Sequence, residues 1–154
     1  MSQLKVLLVE DESSTREMYR TVIKHAGFQV RDAASYGQAV ALLNEPFDLA
    51  LVDLVLGRKS GIELLKYIHH HHPNCPVIIV SAYASKENAI KALHEGAADY
   101  LEKPVDPHAL GHVIRHWTSH HLLKRENLRL REESDLNREI RESELRYRAL
   151  IEAV

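Results

Sequence analysis

The chain has 154 residues, enough for one domain of ordinary size with an extension. Its 20 basic and 22 acidic side chains nearly balance, so bulk charge favours neither nucleic acid nor an anionic membrane surface as a partner. The 45% hydrophobic content supports a packed core, and the single cysteine, Cys75, excludes an intrachain disulfide. The sequence shows no signal-peptide pattern and no apolar run long enough to cross a bilayer, so we expect a cytoplasmic protein.

Five short apolar runs alternate with helical patterns over the first 120 or so residues. The predicted strands are 4–9, 28–33, 48–52, 77–80 and 99–102. The predicted helices are 13–26 with Ser13 or Ser14 as N-cap, one capped by Ser35 and stopped before Pro46, 61–71, 85–95, and a long helix capped by Asp106. The segment from Asp53 to Ser60 is predicted as a loop. Apolar strands alternating with helices indicate an α/β fold with a parallel sheet.

Polar side chains follow four of these strands at the point where each strand ends. Glu10 and Asp11 follow the first strand, and Asp53 follows the third. Ser81 follows the fourth, and Lys103 follows the fifth. In an open α/β sheet, ligands bind outside the carboxyl ends of the strands, so these side chains are expected at one edge. Carboxylates, a hydroxyl and a lysine gathered there predict a site for a divalent metal ion and a phosphoryl group.

These residues, in this order and spacing, resemble the receiver domain of bacterial response regulators over residues 4 to about 120. Gly61 and Tyr100, with Pro104 after the lysine, extend the resemblance. It implies a flavodoxin-like, doubly wound, five-stranded parallel sheet of order 2-1-3-4-5, with the receiver over 1–121. It also implies a signalling domain rather than an enzyme with its own substrate, whose site assists phosphoryl transfer and autodephosphorylation.

The resemblance assigns Asp53 as the phospho-acceptor and Mg²⁺ as the cofactor. A carboxylate can attack phosphorus and hold an acyl phosphate, and a hard cation neutralises clustered carboxylates. The implied ligands are Asp11 and Asp53, Glu10 directly or through water, and the backbone carbonyl of Val55. The implied phosphoryl donor is a phosphohistidine on a sensor histidine kinase or a histidine phosphotransfer protein.

The resemblance also implies which residues bind the phosphoryl group and respond to it. Lys103 would pair with one phosphoryl oxygen, and Ser81 would donate a hydrogen bond to another. Movement of Ser81 would let Tyr100 turn inward and remodel the face formed by residues 85–120.

The last predicted helix continues to the end of the sequence, and its part over 122–154 is rich in Glu, Arg and Leu. Apolar spacing predicts a coiled-coil seam in two phases offset by one residue. Its positions are Leu123, Asn127 and Leu130, then Leu136, Ile140, Ser143, Tyr147, Leu150 and Val154. We expect a homodimer through this helix or through the 85–120 face, with a solvated single helix as the alternative. Residues 142–154 resemble the helix that starts a PAS sensory domain, so 122–154 is interpreted as a linker.

Three other interpretations stay open. The chain is alternatively a degenerate receiver used only for dimerisation, a purely structural coiled-coil module, or a Mg²⁺-dependent aspartyl-phosphate phosphohydrolase. Phosphatases of the haloacid dehalogenase type have a second aspartate where this chain has Val55.

Histidines recur every fourth residue at His108, His112, His116 and His120, a spacing that suits either a metal site or a solvated helix face. No DNA-binding element is predicted, because basic and acidic residues alternate in the tail.

Overall fold

The computed structural model describes residues 3–83 and 85–152, which form alternating strands and helices. The strands are β1 Lys5–Val9, β2 Gln29–Ala33, β3 Leu49–Asp53, β4 Val55–Leu56, β5 Lys59–Ser60, β6 Val77–Ser81 and β7 Asp99–Glu102. The helices are α1 Ser13–His25, α2 Tyr36–Leu42, α3 Gly61–His71, α4 Lys86–His94 and α5 Pro107–Glu152.

Five of the strands form one parallel sheet in the order β2-β1-β3-β6-β7. With β4 and β5 left out of the count, this is the predicted order 2-1-3-4-5, so the doubly wound α/β fold is confirmed. β3 occupies the centre and is buried at all five residues. The carboxyl ends of β1, β3, β6 and β7 therefore meet at one edge of the sheet.

Alternation along the strands divides the core into two clusters, one on each face of the sheet. Ala50 and Val52 of β3 pack in the cluster that contains Leu64 of α3. Leu49 and Leu51 pack in the other cluster, which contains side chains from α1 and α5 such as Tyr19, Ile23, Leu110 and Ile114. Burial of apolar surface on both faces stabilises the sheet that carries the polar residues at its edge.

The predicted loop over residues 53–60 is wrong in part, because it contains the antiparallel ribbon β4–β5. Val55 pairs with Ser60 and Leu56 pairs with Lys59. Gly57 in the turn has φ +63°, a conformation that glycine adopts without the cost of a Cβ. Strands of two residues are too short to show an alternating hydrophobic pattern, which is why the sequence did not reveal them.

The predicted N-cap of α1 is also wrong. Glu12 occupies the cap position and Ser13 is the first helical residue. The Ser14 hydroxyl donates to Glu12 Oε1 at 2.7 Å, so a carboxylate engages it instead of a free backbone N–H group. The predicted caps Ser35 and Asp106 are correct: Ser35 accepts from the Gln38 amide, and Asp106 accepts from the Ala109 amide.

The chain divides into two compact units, Met1–His121 and Leu122–Val154. Through Glu152 the second unit is helical, and local ion pairs join Arg129 to Glu126 and Arg138 to Asp135 at 2.6 and 2.7 Å. The apolar residues of the predicted seam are exposed, from 49% at Leu130 to 69% at Leu150. Val154, the last predicted seam position, lies outside the described residues. Within the described ranges no helix has the length and apolar content to span a bilayer.

Candidate functional site

Three carboxylates meet at the carboxyl edge of the sheet. Glu10 and Asp11 follow β1, Asp53 ends β3, and one carboxylate oxygen from each lies within 4.8 Å of the others. Glu10 and Asp53 are 1% and 7% exposed, whereas Asp11 is open to solvent. Over residues 3–83 and 85–152, no other group of three His, Cys, Asp or Glu side chains comes this close. The sequence-predicted acids are thus brought together.

Lys103 joins this cluster from the end of β7. Its ammonium donates to both carboxylate oxygens of Glu10 at 3.1 Å and to Asp53 Oδ2 at 3.0 Å. Its backbone amide donates to the Ser81 carbonyl at 2.8 Å, which fixes the start of the loop after β7. The Lys103–Pro104 peptide bond is cis. One ammonium therefore serves two buried carboxylates.

The charges in this cluster shift the ionisation of two residues. Burial, followed by the neighbouring Asp53 carboxylate, raises the pKa of Glu10 to about 7, although Lys103 opposes the shift. Burial by itself would lower the pKa of Lys103, but its hydrogen bonds to Asp53 and Glu10 outweigh that effect and raise the pKa. The cluster has three carboxyl groups and one ammonium, so its negative charge exceeds what Lys103 neutralises. Its oxygen donors and unbalanced charge fit a hard divalent cation such as Mg²⁺.

The backbone next to Asp53 is held in a close turn. The Val55 amide donates to Asp53 Oδ1 at 3.2 Å, and the Gly61 amide donates to the Leu54 carbonyl at 2.6 Å. A Cβ at Gly61 would overlap the Asp53 carbonyl oxygen, so this position requires glycine. The predicted role of the Val55 carbonyl as a metal ligand stays a prediction.

The two predicted switch residues contact the same peptide group. Ser81 ends β6 and is fully buried; its Oγ accepts from the Tyr83 amide at 2.9 Å and donates to the Tyr83 carbonyl at 3.3 Å. The hydroxyl of the half-buried Tyr100 donates to the same Tyr83 carbonyl at 3.2 Å. The Ser81 hydroxyl is thus fully engaged by the Tyr83 backbone and would have to give up these partners to bind another group.

Arg16 lies outside the carboxylate cluster but contacts its backbone, and the sequence reasoning missed it. Its Nη1 donates to the backbone carbonyl of Glu10 at 2.9 Å, and its Nε lies 3.3 Å from Asp32 Oδ2. A basic residue at the end of a helix's first turn, where the helix dipole favours acids, is the signal that could have singled it out.

The histidine stripe of α5 does not form a metal site of three ligands within the described residues. His116 and His120 instead make edge contacts with the ring of Trp117, at centroid distances of 5.1 and 5.7 Å. The Trp117 indole donates to Asp99 Oδ2 at 3.1 Å and so attaches α5 to β7. The buried His121 lies on a different face, with Nε2 3.6 Å from Asp48 Oδ1.

Comparisons with known proteins identify the family that this chain resembles. The family model described as the response regulator receiver domain matches residues 6–115. The response regulator protein PilR of Pseudomonas aeruginosa is 43% identical over 107 residues, which are 69% of this chain and 24% of PilR. A putative NtrX-like response regulator of Rickettsia felis is 37% identical over 134 residues, 85% of this chain and 28% of that protein.

A solved structure gives the same result for the fold. The CheY-like receiver domain protein of Methanospirillum hungatei has a TM-score of 0.77 and 33% identity, covering 80% of this chain and 99% of that one. The chain spans about a quarter of the length of the curated relatives PilR and the NtrX-like protein.

Proposed function

The chain belongs to the response regulator receiver domain family of two-component systems, and from this we propose that Asp53 accepts a phosphoryl group from a phosphohistidine. The donor is a sensor histidine kinase or a histidine phosphotransfer protein. An Asp53 carboxylate oxygen forms a bond to phosphorus, the P–N bond of the donor breaks, and its imidazole leaves. The observation that carries the proposal is the contact of Lys103 with both Glu10 and Asp53 inside the carboxylate cluster.

The carboxylates of Glu10, Asp11 and Asp53, with the carbonyl of Val55, are proposed to hold Mg²⁺. When bound, Mg²⁺ supplies the positive charge that neutralises these carboxylates and attracts the phosphoryl oxygens. The burial of Glu10 and Asp53 supports this role, because the single ammonium of Lys103 does not neutralise both buried carboxylates and uncompensated buried charge is costly. Asp11 is exposed and so faces the side from which an ion arrives.

Lys103 and Ser81 are proposed to bind the transferred group. Lys103 already contacts Asp53 Oδ2 and is 16% exposed, so its ammonium needs only a small movement to reach a new phosphoryl oxygen. Ser81 would leave the Tyr83 backbone and donate to another oxygen. Tyr100 shares the Tyr83 carbonyl with Ser81, and its rearrangement would pass the change to the 85–120 face.

We further propose that residues 122–154 form a dimerising linker. Large apolar side chains such as Leu136 and Ile140 are 57% and 50% exposed, and pairing with a second copy would remove them from water. The resemblance of residues 142–154 to the start of a PAS domain supports a role in passing the signal onward.

The alternatives have less support. A phosphohydrolase of the haloacid dehalogenase type needs a general acid where this chain has the aliphatic Val55. A degenerate receiver would lack part of the site, whereas Asp53, Lys103 and Ser81 are all present.

Acetyl phosphate with Mg²⁺ tests the proposal directly. Intact mass spectrometry should find one added phosphoryl group in the natural chain and none in Asp53→Asn. An adduct that persists in Asp53→Asn would overturn the assignment of the acceptor.

A further inference from the structure

We propose that Arg16 is a positioning residue for the metal-binding carboxylates and acts through the backbone of the Glu10–Glu12 segment. The proposal rests on the function proposed above and assigns a task to a residue outside the carboxylate cluster. It predicts that Arg16 controls how tightly the cluster holds Mg²⁺, without itself contacting the ion or the phosphoryl group.

Arg16 is attached twice to the segment that carries the acids. Its backbone amide donates to the Glu12 carbonyl at 2.9 Å, and its Nη1 donates to the Glu10 carbonyl at 2.9 Å. The Glu10 amide in turn donates to the Ala33 carbonyl of β2 at 3.1 Å. Both backbone groups of Glu10 are therefore fixed, and Arg16 supplies the attachment on the carbonyl side.

A second contact holds the guanidinium itself. Its Nε lies 3.3 Å from Asp32 Oδ2 in β2, and the Arg16 and Asp32 side chains are 21% and 33% exposed. A planar guanidinium has several N–H donors in a fixed arrangement, so one side chain can bind the carboxylate and the carbonyl together. Partial burial reduces competition from water. Arg16 thus joins the carboxyl ends of β1 and β2 behind the acidic segment.

The carboxylate cluster needs such an attachment because its members repel one another. The Glu10 carboxylate is buried beside Asp53. Rotation of the peptide group after Glu10 would relieve the repulsion between the carboxylates by moving their oxygens apart, out of the arrangement that could hold one ion. Holding the Glu10 carbonyl opposes that rotation. Partners that orient metal ligands in this way change metal affinity about 10–100-fold when they are removed.

Positioning and simple electrostatics predict opposite results. The positive charge of Arg16 repels a cation, so charge removal alone would make Mg²⁺ bind more tightly. Loss of the attachment at the Glu10 carbonyl would make Mg²⁺ bind more weakly. The direction of the change in Mg²⁺ affinity therefore identifies which effect dominates.

The test is Mg²⁺ titration calorimetry on the full chain with three variants. Arg16→Met should raise the Mg²⁺ dissociation constant about tenfold, the lower end of the range for such partners. Arg16→Lys, which keeps the positive charge but has one donor nitrogen instead of three, should recover part of the loss. Arg20→Met is the matched control and should bind as the natural chain does, because Arg20 lies one turn later in α1 and pairs with Glu17 at the surface at 2.9 Å.

A second measurement separates positioning from a role in the transfer step. At saturating Mg²⁺, acetyl phosphate should phosphorylate Arg16→Met at the rate of the natural chain. A rate that stays low at saturation would overturn the positioning role, as would Mg²⁺ affinity that is unchanged or higher in folded Arg16→Met. If Arg16→Met fails to fold, Arg16→Gln replaces it, because it also removes the positive charge; weaker Mg²⁺ binding is expected, and unchanged or tighter binding would overturn the proposal. Absence of Mg²⁺ binding in the natural chain would count against the proposed function instead.

Discussion

The hydroxyl groups of Ser81 and Tyr100 donate to one acceptor, the backbone carbonyl of Tyr83, at 3.3 and 3.2 Å. Ser81 ends β6 and Tyr100 lies in β7, so a single peptide group of the intervening segment links two neighbouring strands. If Ser81 turns toward a phosphoryl group, this carbonyl loses one donor. The position of Tyr100 then depends on whether the loop after β6 follows Ser81.

Tyr100→Phe removes one of the two donors from this carbonyl. We expect a loss of about 1 kcal/mol in the free energy of unfolding, the ordinary net value of a hydrogen bond, with phosphorylation of Asp53 retained. Urea denaturation measures the stability, and mass spectrometry after acetyl phosphate treatment measures the modification. Tyr147→Phe is the control, because Tyr147 is 67% exposed in the second unit. Equal losses in the two variants would show that the Tyr100 hydroxyl has no specific role.

Lys103→Met leaves the buried Glu10 and Asp53 carboxylates without their ammonium partner. Removal of one member of a buried ion pair costs about 3–5 kcal/mol, so we expect a loss near 3 kcal/mol at pH 7.5 without Mg²⁺. Added Mg²⁺ should recover part of this loss by replacing the missing charge. Chemical denaturation with and without Mg²⁺ measures both effects. Stability that does not change in either condition would contradict the charge balance inferred here.

The metal-free protein should lose stability as pH rises through the pKa of Glu10. Burial raises this pKa from 4.5 to about 7, so the folded state binds a proton that the unfolded state has released. The resulting stabilisation is present below pH 4.5 and lost by pH 7, with a slope of at most about 1.4 kcal/mol per pH unit. The difference in unfolding free energy between the natural chain and Glu10→Gln isolates this contribution. A difference that is independent of pH would refute it.

Cys75 should resist alkylation in the folded protein. Burial raises the pKa of its thiol to about 12, and the thiolate is the reactive form. Iodoacetamide at pH 8 should label the natural chain slowly, and labelling should accelerate in urea as the domain unfolds. Because the chain has one cysteine, the adduct reports on this site without ambiguity. Rapid labelling without denaturant would show that the position opens readily.

Ile140→Lys tests the linker as a dimerisation element. Ile140 is a predicted seam residue and is 50% exposed in the single chain, so lysine should leave the monomer folded but prevent pairing. Light scattering should give a monomer mass for this variant and a dimer mass for the natural chain with beryllofluoride and Mg²⁺. Leu145→Lys is the matched control, since Leu145 is 61% exposed and lies off the predicted seam. A natural chain that stays monomeric would remove the linker from the mechanism.

The strands and the carboxyl-edge residues could be predicted because their signals are local. Apolar runs that end in Asp53 or Ser81 identify a buried strand and its exit with no knowledge of its partners. The strand order needed the resemblance to a known family. The contact between Arg16 and the Glu10 carbonyl could not be predicted, since it depends on how α1 returns across the ends of β1 and β2. The N-cap of α1 was predicted one or two residues too late. Serine is a usual capping residue, but here the helix begins at Ser13 and the Ser14 hydroxyl donates to the carboxylate of Glu12, the actual cap residue.

β3 carries an anchored carboxylate beyond one end and the proposed phospho-acceptor at the other. Asp48 accepts from the Lys5 amide at 2.9 Å and lies 3.6 Å from the buried His121, while Asp53 is held by Lys103. All five residues of the strand are buried between β1 and β6. β3 is therefore held near both of its ends, and if Asp53 accepts a phosphoryl group we expect the resulting movement in the Ser81 and Tyr100 side chains rather than in this strand.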